Sequence, residues 1–143
     1  MAGHELVVVV NYSGMLRLVS DAYRKAGGKL TMLVPTDDDT WDIERYQENT
    51  EYADTIVEVS TWHQVLLRLV SDSDIVVCAG LSSGVFAELA YIKWNLQEHR
   101  GALQELVVIT DLVRGKKIPP EFEMDIGHVL TYCPSSDLQS VLS

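Results

Sequence analysis

Residues 5–14 read Glu-Leu-Val-Val-Val-Val-Asn-Tyr-Ser-Gly. Glu5 to Val10 is a near-continuous apolar run, the pattern of a strand buried on both faces. Asn11-Tyr12-Ser13-Gly14 is a short loop of turn-forming residues. Beyond it Met15, Leu18, Val19, Ala22 and Ala26 share one face of a helix. Gly27-Gly28 stops that helix, and Lys29 to Val34, closed by Pro35, is the next strand. Strand, loop, helix and strand in this order make one βαβ unit.

The alternation continues along the chain. Thr36 to Tyr52 is polar and acidic and reads as a long loop with room for a turn of helix. Thr55 to Val59 is a short strand. Ser60 or Thr61 can cap the helix whose apolar stripe is Trp62, Val65, Leu66, Leu69 and Val70. Asp74 leads into a strand from Ile75 to Ala79. The loop Gly80-Leu81-Ser82-Ser83-Gly84 opens a helix from about Val85 to Gln97. Leu106 to Thr110 and Val129 to Tyr132 are further strands, and Ser135 can cap a short terminal helix through Leu142. No internal repeat or interdomain linker stands out. Residues 1–143 therefore read as a single domain of α/β class. The expected fold is three-layer and Rossmann-like, with a mostly parallel sheet flanked by helices.

Composition narrows the function. The chain of 143 residues is 47% apolar and 22% charged, ordinary for a globular protein. No stretch approaches the roughly 20 apolar residues of a membrane span. Met1 to Val10 lacks the basic start of a signal peptide. Cys78 and Cys133 match neither a zinc site nor a redox pair, which points to reduced thiols and the cytoplasm. The net charge of −10 disfavours nucleic acid as a partner. The acidic residues Asp37, Asp38, Asp39, Asp42, Glu44, Glu48, Glu51, Asp54 and Glu58 follow no calcium-loop spacing, so a solvated acidic segment is expected there. His4, His63, His99 and His128 show no metal-ligand spacing. No metal and no cofactor is implied.

In parallel sheets ligands collect at the carboxyl ends of the strands, where loops become helix N-termini. Two loops qualify, and they carry the candidate phosphate-binding residues: Asn11, Ser13 and Gly14 in the first, Gly80, Ser82, Ser83 and Gly84 in the second. A helix start leaves backbone N–H groups unpaired and carries partial positive charge, so it holds a phosphate without a basic side chain. Turn-making alone explains Gly and Ser in such loops equally well. Glu88, one turn into the second helix, is the candidate catalytic residue. Its carboxylate can take a ribose hydroxyl or move a proton, although a first-turn glutamate is also favoured by the helix dipole. The helix from Val85 to Gln97 is apolar on more than one side, through Phe86, Leu89, Ala90 and Trp94 and through Val85, Ile92 and Leu96. The surplus points to a homodimer contact, with deep burial as the alternative.

The segment Gly80-Leu81-Ser82-Ser83-Gly84-Val85-Phe86-Ala87-Glu88 resembles the P-G-G-x-G-T-x-x-E motif of the Lonely-guy (LOG) family. These are phosphoribohydrolases once labelled lysine decarboxylases. They are grouped with the Smf/DprA and molybdenum-cofactor carrier proteins in the SLOG superfamily. Ser13 to Gly28 and Lys29 to Pro35 resemble the family's earlier glycine segment, its helix and the strand that follows. The resemblance covers roughly Val7 to Leu112 and implies a nucleotide or other phosphorylated small molecule as ligand. Gly84 and Glu88 keep the motif letters. The motif threonine is Val85, and the arginine expected to hold ribose phosphate is Val65, so a typical LOG enzyme is not expected. Arg17 or Arg68 would have to supply the missing cation. Ser83-Gly84 and Glu88-Leu89-Ala90-Tyr91 also resemble nucleoside deoxyribosyltransferases. That likeness implies cleavage of an N-glycosidic bond with Glu88 at the sugar. A non-catalytic dimeric scaffold is the third expectation.

Overall fold

The computed structural model describes residues 3–10, 14–38 and 50–143. The chain is α/β, with two three-stranded parallel sheets flanked by helices. It divides into two compact units, Met1–Leu69 and Val70–Ser143, and the division falls inside a helix.

In the first unit, β1 (Glu5–Val9) leads to α1 (Met15–Lys25), β2 (Lys29–Pro35) and β3 (Thr55–Val59), followed by α2 (Trp62–Ser71). The sheet order is β1-β2-β3, all parallel, with Val7 opposite Thr31 and Leu33 opposite Val57. The middle strand β2 is buried from Leu30 to Pro35. The run at Glu5–Val10 was expected to be covered on both faces. It buries only Val8 and Val10, because β1 is an outer strand of its three. Its core is Val8, Val10, Leu30, Met32 and Val34, with Leu6, Leu16, Tyr52, Ala53 and Trp62 packed against it.

α1 presents the opposite face from the one its apolar stripe indicates. Leu18 is 67% exposed, and Met15 and Val19 are exposed as well. Leu16 and Ser20 face inward instead, and the Ser20 hydroxyl donates to the Leu16 carbonyl at 2.7 Å, which satisfies it without leaving the helix. The helix stops as expected. Gly28 N–H donates to Tyr23 O at 3.0 Å and Gly27 N–H to Arg24 O at 2.9 Å, a Schellman ending with Gly27 at φ 81°. A Cβ on Gly28 would lie 2.2 Å from the Tyr23 ring, whose hydroxyl is tied to His4 O, so the position admits only glycine. α2 starts with a reciprocal capping box. Thr61 Oγ1 accepts from Gln64 N at 3.3 Å, and Gln64 Oε1 accepts from Thr61 N at 3.4 Å and from Ser60 N at 2.8 Å.

The second unit contains β4 (Ile75–Cys78), α3 (Ser83–Gln97), β5 (Glu105–Ile109), α4 (Pro120–Ile126), β6 (Leu130–Cys133) and a terminal α5 (Leu138–Val141). Its sheet is β4-β5-β6, parallel, with Val76 opposite Leu106 and Val107 opposite Thr131. Leu89 and Ile92 of α3, Leu106 and Val108 of β5 and Ile126 of α4 are the centre of the core. α4 was not anticipated from the sequence. It begins with Pro120 in the first turn and carries Glu121 and Glu123 there, both of which favour a helix start. Ser135 does not cap the terminal helix. Its N–H and hydroxyl both donate to Asp111, at 2.6 and 2.5 Å, and these bonds hold the Asp111 carboxyl below its ordinary pKa.

The two units also share a device, although the sequence has no evident internal repeat. Thr31 donates its hydroxyl to Glu5 across β1 and β2, and Thr131 donates to Glu105 at 2.6 Å across β5 and β6.

Candidate functional site

At the carboxyl edge of the first unit's sheet, backbone pairing runs on past the strands. Val10 N donates to Leu33 O at 3.0 Å, Thr36 N to Val59 O and Asp37 N to Ser60 O, both at 2.8 Å. This zipping fixes Asp37 and Asp38 at the rim. Asp38 Oδ2 accepts from Trp62 Nε1 at 2.7 Å, and Trp62 itself packs on the core. Gly14 is the N-cap of α1, with φ 84° and ψ −155°, a backbone region open to glycine alone. Among the described residues no side chain caps this helix start, and its first turn carries no acidic residue. Among the described residues nothing lies within 4 Å of where a Gly14 Cβ would stand. Asn11 and Ser13, expected beside it, lie outside the described residues.

The second unit's rim holds the other candidates. Gly80 follows β4, and its carbonyl accepts from the Cys78 thiol at 3.2 Å. Ser82 is the N-cap of α3, where its Oγ accepts from Val85 N at 3.3 Å. That bond uses one of the amides expected to face an anion. Leu81 and Val85 pack against the core, and Ser83 stands exposed at the first position of the helix. A Cβ on Gly84 would meet Ser82 Oγ at an ordinary 3.7 Å. The two candidate loops therefore belong to different units: the α3 start is capped by its own serine, while among the described residues the α1 start has no side-chain cap.

Glu88 lies on α3 with no hydrogen-bond partner among the described residues, and burial lifts its carboxyl from 4.5 to about 7. Cys78 is close enough to feel its charge, although burial is the larger cause of the raised thiol pKa. Both cysteines are free and buried. With Cys78 beside Val108 and Cys133 beside Ile109, strand β5 stands between them, about 10 Å across, too far for a disulfide. On the same sheet Tyr132 Oη donates to Glu123 and accepts from Ile118 N at 3.2 Å. Burial and that carboxylate push the phenol up to about 12, which leaves it a fixed donor rather than a base.

The rim position of Asp37 and Asp38 is not apparent from the acidic run in which they lie. A usable signal was present, since Asp37 follows Gly14 by about 20 residues at the end of the next strand, the usual place of a ribose-binding acid. Arg17, offered as a substitute cation, is engaged: its Nε lies 3.4 Å from Asp21 and its guanidinium 3.6 Å from the Tyr52 ring centroid. The described residues contain no group of three or more His, Cys, Asp or Glu able to hold a metal ion, and no helix long and apolar enough to cross a membrane.

No family model matches this chain. No curated protein matches it either. Among solved structures the chain is similar to one described as AtPrR2 in apo form, with TM-score 0.57 and 21% identity over 88% of this chain and 46% of that chain. It thus spans about half the length of that structure, and at this identity the likeness is one of fold. None of these comparisons carries the Lonely-guy resemblance.

Proposed function

We propose that the chain binds a nucleotide at the rim of its first unit, with phosphate at the α1 N-terminus and a ribose hydroxyl at Asp37. One observation carries this reading: α1 opens on Gly14 in a glycine-only conformation, with no side-chain cap among the described residues. Backbone amides and the helix dipole there favour a phosphate. Asp37 is exposed on the neighbouring strand end and can accept from a ribose diol. Asp38, held by Trp62, adds negative charge that disfavours a phosphate on the ribose itself.

Thermal unfolding with nucleoside monophosphates and dinucleotides tests this. At ligand about a hundredfold above its Kd the native state should gain about 2.7 kcal/mol. Asp37→Ala should weaken binding about tenfold, the loss of one charge-assisted hydrogen bond. Gly14→Val should abolish binding through its side chain and its strained φ. Absence of any shift with every nucleotide class sinks the reading.

A second reading follows from Glu88. A carboxyl that titrates at about 7 can hand a proton to a leaving base at neutral pH, as N-glycosidic cleavage requires. Incubation with nucleoside monophosphates should then release free base, seen by chromatography, and Glu88→Gln should stop the release. A chain that binds nucleotides yet releases nothing is a binder only.

A further inference from the structure

α3 buries one face and leaves another bare. Leu89 and Ile92 are fully covered, while Phe86 is 40% and Trp94 51% exposed. Phe86, Ala90 and Trp94 follow one another at four-residue steps and so lie along one stripe of the helix. The stripe is stiffened at both ends. Phe86 stacks on Phe122 of α4, with ring centroids 6.2 Å apart and planes 15° from parallel, and Lys93 Nζ sits 3.7 Å from the Trp94 ring centroid. Two large aromatic rings aligned on one stripe and half open to water form an exposed apolar strip of the kind that marks an interaction surface.

The order of these residues says what covers them. Around Ala90 the stripe is symmetric, with a large ring four positions before it and another four positions after it. A two-fold axis through Ala90 sets Phe86 of one protomer against Trp94 of the other, twice, and the small Ala90 side chains let the backbones approach. Charge supports the same antiparallel arrangement. α3 has no acidic residue in its first turn and no basic residue in its last, so neither end of its dipole is met by a charged side chain of its own end turns. Antiparallel pairing brings each positive start to the partner's negative end.

We infer that a second copy of this chain packs antiparallel on α3, with Ala90 on the two-fold axis and Phe86 against Trp94 across it. The interface lies in the second unit and does not depend on ligand binding at the first.

Sedimentation equilibrium of the full chain over a wide concentration range tests it, with far-UV circular dichroism as the control for folding. The wild-type chain should weigh as two protomers. Trp94→Asp should weigh as one with an unchanged spectrum, since Trp94 is half exposed and its loss leaves the core intact. Ala90→Arg should do the same, because two cations would meet at the axis. A wild-type chain that stays single at every concentration overturns the inference, as does a dimer that survives both substitutions. A dimer broken by Trp94→Asp and untouched by Ala90→Arg places the axis elsewhere and overturns the pairing proposed. Nucleotide binding by the separated protomers is expected to persist, so a failed dimer and a failed ligand site give different results.

Discussion

Replacing Glu88 by glutamine should stabilise the chain by roughly 2 kcal/mol at about pH 8 and leave its stability almost unchanged at about pH 4. The carboxyl titrates at 4.5 when free in water and at about 7 on α3, and burial is the cause. Between those values the folded chain holds a proton that the unfolded chain has released. The stability associated with the neutral buried carboxyl is therefore complete below about pH 4.5 and is lost as the pH rises through 7. A rise from 4.5 to about 7 corresponds to about 3 kcal/mol, and the partial exposure of the group brings the expected figure to roughly 2 kcal/mol. Glutamine has nearly the shape of the protonated acid and never ionises, so it removes the penalty at high pH and changes little at low pH. Urea unfolding of both proteins at the two pH values reads the difference directly. Equal loss of stability at both would mean that Glu88 is held as an anion by a partner. Equal stability at both would mean that the carboxyl is solvated. A carboxyl kept partly neutral without a hydrogen bond costs stability, and such groups cluster at functional sites, which is why Glu88 stays a candidate for proton transfer.

What could be read from the sequence was mostly what local chemistry decides. Gly27-Gly28 ended α1 because a left-handed residue followed by an amide returning to Tyr23 depends on neighbours in sequence. Thr61 and Gln64 opened α2 for the same reason. Strand identities followed from apolar runs, and the parallel sheets followed from the helices between them. Periodicity told which residues of α1 share a face but not which face the sheet covers. Leu16 and Ser20 turn inward while Leu18 and Val19 do not, a result decided by where β1 and β2 lie beneath the helix. The site divides in the same way. Gly14 and Ser82 stood out as loop and cap residues. The position of Asp37 and Asp38 at the rim depends on the register of β2 against β3, a long-range pairing that a polar, acidic run does not reveal. The nearness of Cys78 to Glu88 depends on how α3 doubles back over β4, which no spacing rule encodes.

α4 is the element whose energetic weight the sequence concealed most. Seven residues are too few for a periodic stripe to be distinguished from chance, and a helix so short is marginal by itself. Its stability must come from docking, and Ile126 supplies it. This side chain is completely buried among Leu89, Leu106, Val108 and Ile118. Ile126→Ala should therefore cost about 2–5 kcal/mol, the transfer of the lost methyl and methylene groups plus the cavity left in a packed core. Met124, two positions earlier on the same helix, is 87% exposed, and Met124→Ala should change stability by less than about 0.5 kcal/mol. Both replacements put alanine in the same short helix, where Ile and Met differ in propensity by only a few tenths of a kcal/mol, so burial decides the difference. Urea unfolding monitored by amide exchange at Leu106 and Val108 should show the Ile126 variant losing protection in β5 and the Met124 variant keeping it. Similar small losses for the two would mean that α4 is a surface turn outside the core, and Phe86 would then rest against an unanchored Phe122.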